Sequence, residues 1–156
     1  FFTAGPLVRQ IRAAGLKSVI IGQEGYDSQK FIEIAGKAAE GVIITTSLDR
    51  DSKRDVTRNF INAFEKKAGY KSDMVAASTH TAIYVAAAAL KKAGGMDPAA
   101  IRKGLSQTSV DASTGTISFN ALGEVQKDVL TQIVRDGNWH YHARISDKAL
   151  LAPPNE

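Results

Sequence analysis

Ser18-Val19-Ile20-Ile21-Gly22-Gln23-Glu24-Gly25-Tyr26-Asp27 runs a short stretch of buried-strand character into a glycine-flanked loop that carries one carboxylate and one aromatic ring. The β-branched residues make a rigid strand, and in an open α/β sheet ligands bind just outside the carboxyl ends of the strands. Gly22 and Gly25 are expected to let the backbone turn sharply beside that strand. Glu24 is therefore the first candidate for contact with a ligand, although a carboxylate in such a loop is most often plain solvated charge. A carboxylate at the tip favours a cationic partner such as an ammonium.

On either side the pattern alternates between helix and strand. Pro6 to Ala14 reads as a helix, with proline in its first turn, Leu7, Ile11 and Ala14 on the inner face and Gly15 as its end. Asp27 or Ser28 is placed to cap a second helix through about Ala39, facing inward with Phe31, Ile34, Ala35 and Ala38; Gly41 ends it. Val42 to Thr46 is a second buried strand, so the alternation predicts parallel strands with helical crossovers.

Beyond Leu48 the character changes. Asp51 or Ser52 opens a helix to about Ala68 with Val56, Phe60 and Phe64 inward, and Gly69 stops it. Ala76 to Ala93 is apolar or small all round, which predicts a helix buried on several sides. Asp97-Pro98 opens a short helix through Leu105. The tail then turns to strands: Thr116 to Phe119, a turn at Asn120 to Gly123, and Val129 to Val134. Asp136-Gly137-Asn138 is a hairpin signal, with Trp139 to Ile145 as the return strand. Leu150 to Glu156, with two prolines, is expected to be poorly structured.

The bulk numbers exclude several classes. The chain has 156 residues, 44% hydrophobic and 23% charged, a composition of globular proteins. Its net charge of +4 is spread without a basic stripe interleaved with aromatics, so nothing points to nucleic acid. No apolar run approaches the roughly 18 residues that span a bilayer. With no cysteine there is no disulfide and no thiolate nucleophile or ligand. Gly-x-Ser-x-Gly is absent, and Gly22-Gln23-Glu24-Gly25 lacks the lysine and bare amides of a phosphate loop. His140 and His142 alternate on the return strand near Asp136, but zinc requires three or four convergent ligands, so no metal site is expected. His80, at the opening of the apolar helix, either bonds backbone or lines a pocket mouth. The pattern contains no visible catalytic group and asks for no cofactor.

The order and spacing of several segments resemble one family. These are Gly5-Pro6-Leu7-Val8-Arg9-Gln10, Ala14-Gly15-Leu16, Gly22-Gln23-Glu24-Gly25-Tyr26-Asp27 and Ile34-Ala35-Gly36-Lys37-Ala38-Ala39-Glu40-Gly41. Ala82-Ile83-Tyr84 and Gly115-Thr116-Ile117-Ser118-Phe119-Asn120 with Gly123 agree with them. They are similar to the branched-chain (Leu/Ile/Val-type) amino-acid-binding proteins of ABC importers, the type I periplasmic binding proteins. The resemblance implies an α/β fold forming the C-terminal portion of a longer, two-lobed protein, with parallel sheets flanked by helices and a C-terminal hairpin. Residues 1–46 would belong to the second lobe, 47–131 to the first, and 132–156 would return to the second, with hinge strands near Thr45-Thr46 and Thr131.

The same resemblance implies roles. An acidic residue at the Glu24 position holds the ligand α-ammonium, and an aromatic residue before the first helix flanks the ligand, which points to Phe1 or a residue just upstream. Val75 sits where some relatives place a bulky pocket residue, Tyr26 is adjacent to the Glu24 position, and His80-Thr81 stands where relatives carry Tyr-Asp or Tyr-Ala. The hydroxyl groups that hold the ligand carboxylate belong to the absent N-terminal part. The implied function is non-enzymatic: a periplasmic or membrane-tethered extracellular binder of a small aliphatic amino acid that delivers it to a membrane permease. Alternatives are a binder of an amide, urea or aromatic acid on the same fold, or the sensory domain of a regulator. Taken alone, the chain is expected to expose apolar surface and self-associate.

Overall fold

The computed structural model describes residues 1–151. Its principal sheet has the order β1-β2-β6-β7, from Ile21–Gly22, Ile43–Thr46, Val129–Arg135 and Asn138–Ile145. β1 and β2 run parallel, as the helix–strand alternation predicts. β6 and β7 join antiparallel, so the sheet is mixed. The hairpin closes through Asp136 and Gly137, both at positive φ (51° and 70°), with Arg135 opposite Asn138. That two-residue connection matches the right-handed strand twist.

α1 (Ala4–Ala13) and α2 (Gln29–Ala35, capped by the Ser28 side chain) pack together against this sheet. Asp27 is not the side-chain cap, because its carboxylate is engaged elsewhere. The core joins Val8, Phe31, Ala39, Val42, Ile44, Val134 and Trp139. Phe31 stacks on Trp139 with ring centres 5.8 Å apart, and the indole N–H donates to the Ser28 carbonyl at 3.3 Å. The inner face of α1 is not the expected Leu7, Ile11 and Ala14. Leu7 is 49% exposed, and Ala4, Gly5 and Val8 are buried instead. The cause is the close crossing of α1 and α2: a Cβ on Gly5 would lie 2.6 Å from Ile34 Cγ2, so this side must face the neighbour.

β1 also departs from expectation. It is two residues long, and Val19 and Ile21 are each 71% exposed while Ile20 packs on the core. Strand side chains alternate faces, and the face carrying Val19 and Ile21 has no cover among the described residues.

The second group comprises α3 (Asp55–Ala68), α4 (Met74–Ala93), α5 (Pro98–Ser106) and a three-stranded antiparallel sheet, β3 (Val110–Ala112), β4 (Gly115–Phe119) and β5 (Val125–Gln126). β3 and β5 are too short to carry a readable alternation. α3 starts at Asp55 rather than at Asp51 or Ser52; Asp49 Oδ1 instead accepts the Asp51 amide at 3.0 Å in a preceding turn. Phe60 faces inward as expected, with Thr57 beside it. α5 is capped by Asp97, which accepts the Ala100 amide at 2.8 Å.

α4 is not buried all round. Only Ala77, Thr81, Val85 and Ala89 are buried, a four-residue stripe facing α5 and β3, while Val75, Ile83, Tyr84 and Leu90 are exposed. α5 crosses so closely that a Cβ on Gly104 would meet the Ala89 carbonyl at 2.5 Å. At the end of the chain, Lys148–Leu151 forms one helical turn, α6. Leu150 and Leu151 are thus helical; the rest of the expected loose end, 152–156, lies outside the described residues. No helix among them is long and apolar enough to cross a membrane.

Candidate functional site

Immediately past the carboxyl end of β1, Glu24–Tyr26 forms a single 3₁₀ turn. The Asp27 amide donates to the Glu24 carbonyl at 2.9 Å, and the Phe1 nitrogen donates to the Gly25 carbonyl at 2.7 Å. Gly22 and Gly25 are not among the residues at positive φ. The reason for Gly22 is space: a Cβ there would come within 2.8 Å of the Tyr26 ring. Tyr26 lies over Gly22 and 5.2 Å from the Phe31 ring, packed on the core. It thereby holds the turn down on the sheet. Glu24 itself is exposed, and its carboxylate accepts no hydrogen bond within the described residues.

Phe1, Glu24 and Tyr26 are thus brought together, and Phe1 also packs against the core cluster. Val75 and His80 lie on α4, outside that cluster. Val75 is 63% exposed on the first turn. His80 Nδ1 sits 3.0 Å from Ser113 Oγ, with its ring 4.7 Å from Phe60 and 4.5 Å from Tyr84. Burial pushes its pKa below the ordinary value. Its partner is thus a side-chain hydroxyl, not the backbone, and its ring forms part of a half-exposed aromatic group.

Sequence reasoning missed the polar cluster beneath the turn. The Asp27 side chain, fully buried, accepts from Thr46 Oγ1 on one oxygen and from the Arg50 guanidinium on the other. Arg50 also donates to Gln132 Oε1 at 2.6 Å and to the Ser72 carbonyl at 3.2 Å. These partners lie 23, 82 and 22 residues from Arg50, so no local spacing announces them. Lys127, between β5 and β6, was missed as well. Its ammonium donates to Ser47 Oγ. Burial depresses its pKa and the charge of Glu24 opposes that shift, so Lys127 lies within the field of the candidate carboxylate.

Two cavities flank Lys127. The larger, about 850 Å³, is mixed in character, with Asp49, Arg54, Ser113 and Arg144 in its wall beside Val125 and Leu130; the smaller, about 470 Å³, is an apolar trough between α4, α5 and β4. Neither is lined by Glu24. The candidate carboxylate therefore stands on an open surface of this chain, not inside an enclosed pocket. His140 pairs with Asp51 at 3.3 Å, and β7 is irregular opposite Thr131/Gln132, which disturbs the alternation between His140 and His142. No group of three or more potential metal ligands occurs among the described residues.

Residues 3–138 match the family described as periplasmic binding protein. The chain is 29% identical over 141 residues to a leucine-, isoleucine-, valine-, threonine- and alanine-binding protein of Pseudomonas aeruginosa, covering 89% of this chain and 36% of that protein. It is 32% identical over 122 residues to a Leu/Ile/Val-binding protein of Citrobacter freundii, covering 78% of this chain and 32% of that one. Among solved structures, a leucine binding protein from Thermotoga maritima superposes with a TM-score of 0.84 at 26% identity, over 94% of this chain and 43% of the other. The chain spans about a third of the length of these curated relatives.

Proposed function

The chain belongs to the periplasmic binding protein family, and on that premise we propose that it is part of the substrate-binding component of an ABC importer. Its ligand is a small amino acid, branched-chain or otherwise aliphatic, whose α-ammonium sits on Glu24. The observation that carries this is the state of Glu24: an exposed carboxylate without a donor among the described residues, on a turn locked down by Phe1, Tyr26 and Asp27. A carboxylate held in place and left unpaired is ready for a charge-assisted bond to an ammonium. The similarity to leucine-, isoleucine- and valine-binding proteins supports the same ligand class.

In this reading residues 1–46 and 132–156 belong to one lobe and 47–131 to the other. Two features support it. The principal sheet draws its strands from the two ends of the chain, and the crossing strands pair directly, Thr45 opposite Thr131 and Thr46 opposite Leu130. Paired crossings make a compact hinge. The ligand stabilises the closed form because it touches both lobes: Phe1, Glu24 and Tyr26 border it on one side, Val75 and His80 on the other. The closed protein is recognised by a membrane permease outside the cytoplasm, and no catalysis is involved.

The test is calorimetric titration of the complete two-lobed polypeptide with leucine, isoleucine and valine, repeated with Glu24→Gln. Binding that is lost in the variant is the expected result. Binding that survives intact removes Glu24 from the site. A protein that ignores every amino acid but takes an amide or aromatic acid overturns the ligand class.

A further inference from the structure

The buried cluster under the Glu24 turn reaches in three directions at once. Asp27 closes the turn by donating its amide to the Glu24 carbonyl, and its carboxylate is clamped between Thr46, the last residue of β2, and Arg50. The same guanidinium donates to Gln132 on β6. It also donates to the Ser72 carbonyl, one residue before Asp73, whose carboxylate accepts the Ala76 amide at 2.8 Å and so opens α4. Arg50, directly and through Asp27, therefore joins the turn that carries Glu24, both crossing strands and the start of the helix that carries Val75 and His80.

We infer that Arg50 is a positioning residue for ligand binding: by clamping Asp27 it sets where Glu24 stands relative to the opening of α4. Three observations argue for this beyond simple stability. First, the pair is hidden, with the Asp27 side chain 0% and that of Arg50 16% exposed. A buried ion pair contributes little net stability compared with apolar residues of the same volume, whereas it does impose one geometry. Second, guanidinium suits the task because its fork of donors is planar and rigid, and a lysine ammonium at the same place cannot reach three acceptors in fixed directions. Third, Gln132 is itself positioned by this contact: its Nε2 is buried without a partner among the described residues, while its Oε1 takes the Arg50 donor.

This inference rests on the reading of Glu24 as the ammonium acceptor, and its test separates the two. Leucine is titrated calorimetrically into the complete polypeptide as wild type, Arg50→Lys and Glu24→Gln, at a temperature where circular dichroism shows each variant fully folded. Under that condition affinity no longer reports global stability. Arg50→Lys is expected to weaken leucine binding about tenfold or more, because small misplacements of a positioned group are costly. Arg50→Met is expected to lose more, so that lysine counts as a partial rescue.

Wild-type affinity in Arg50→Lys alongside a loss in Glu24→Gln makes Arg50 merely structural, overturning this inference and sparing the Glu24 reading. Wild-type affinity in Glu24→Gln removes the ammonium site, and this inference falls with it. If the Arg50 variants do not fold, Gln132→Met removes one anchor of the guanidinium and leaves the Asp27 pair. It is expected to lose part of the affinity, and wild-type binding by that folded variant overturns the proposal.

Discussion

The two packing groups of this chain use apolar sequence in opposite ways. The group around the principal sheet closes its core from its own elements: Phe31, Ile44, Val42 and Val134 are each 0% exposed. The group around α4 does not. That helix is as apolar as any segment of the chain, yet it hides one stripe and leaves Ile83 65% and Tyr84 48% exposed. Burial is thus a property of what surrounds a segment, not of its composition. The same contrast appears within the principal sheet, where Ile44 on the inner strand β2 is hidden and Ile21 on the edge strand β1 is not.

The sharpest way to break this comparison is to delete a side chain from the closed core. Phe31→Ala removes a ring that meets Tyr26, Trp139 and the sheet. It is expected to lower stability by about 3–5 kcal/mol, read from the denaturant midpoint. A loss below about 1 kcal/mol, the ordinary cost of an average substitution, places that core on the same loose footing as α4.

On α4 the expectation reverses. Replacing Ile83 and Tyr84 with serine is expected to change folding stability by no more than about 0.5 kcal/mol for each. We also expect it to reduce self-association of the isolated chain, since exposed apolar patches drive contacts. Sedimentation of the parent chain as a clean monomer at all concentrations removes the premise of that prediction.

The smallest effect sits at His80, which ties α4 to Ser113. Its folded pKa lies below the ordinary 6.5 because burial disfavours the imidazolium. As pH falls, the unfolded chain takes up the proton first. Stability is therefore complete above about 6.5 and declines below it, until His80 protonates in the folded protein too. The thermal midpoint of His80→Gln is expected to fall less between pH 7 and 5 than that of the wild type. Equal falls in both proteins assign the acid sensitivity to other groups.

Against this background, the legible parts of the chain share one feature: their cause is local. Asp97 before Pro98, the ends at Gly15 and Gly69, the Asn120–Gly123 turn and the Asp136-Gly137 hairpin all depend on a few adjacent residues and stand where the residues place them; α2 does not, since it stops at Ala35 with Gly36 at positive φ instead of running through Ala39 to Gly41, and a 3₁₀ turn follows. The turn at Glu24 just beyond β1 was legible for the same reason. Tyr26 shows the limit: its adjacency to Glu24 was plain, but its packing over Gly22 and Phe31 was not. The face of α1 was misjudged because a crossing helix, not the helix's own periodicity, chose it.

Residue order alone was enough for the alternation of elements, the turns, the family resemblance and the naming of Glu24 as a candidate, since each is written in propensities and spacings over a handful of positions. Only the folded chain decided which apolar faces close, that β2 and β6 pair with Thr45 opposite Thr131, and that Asp27, Arg50, Ser72 and Gln132 meet. Those outcomes depend on contacts between segments tens of residues apart. A hydrogen bond across 82 residues leaves no periodic trace in the chain that makes it.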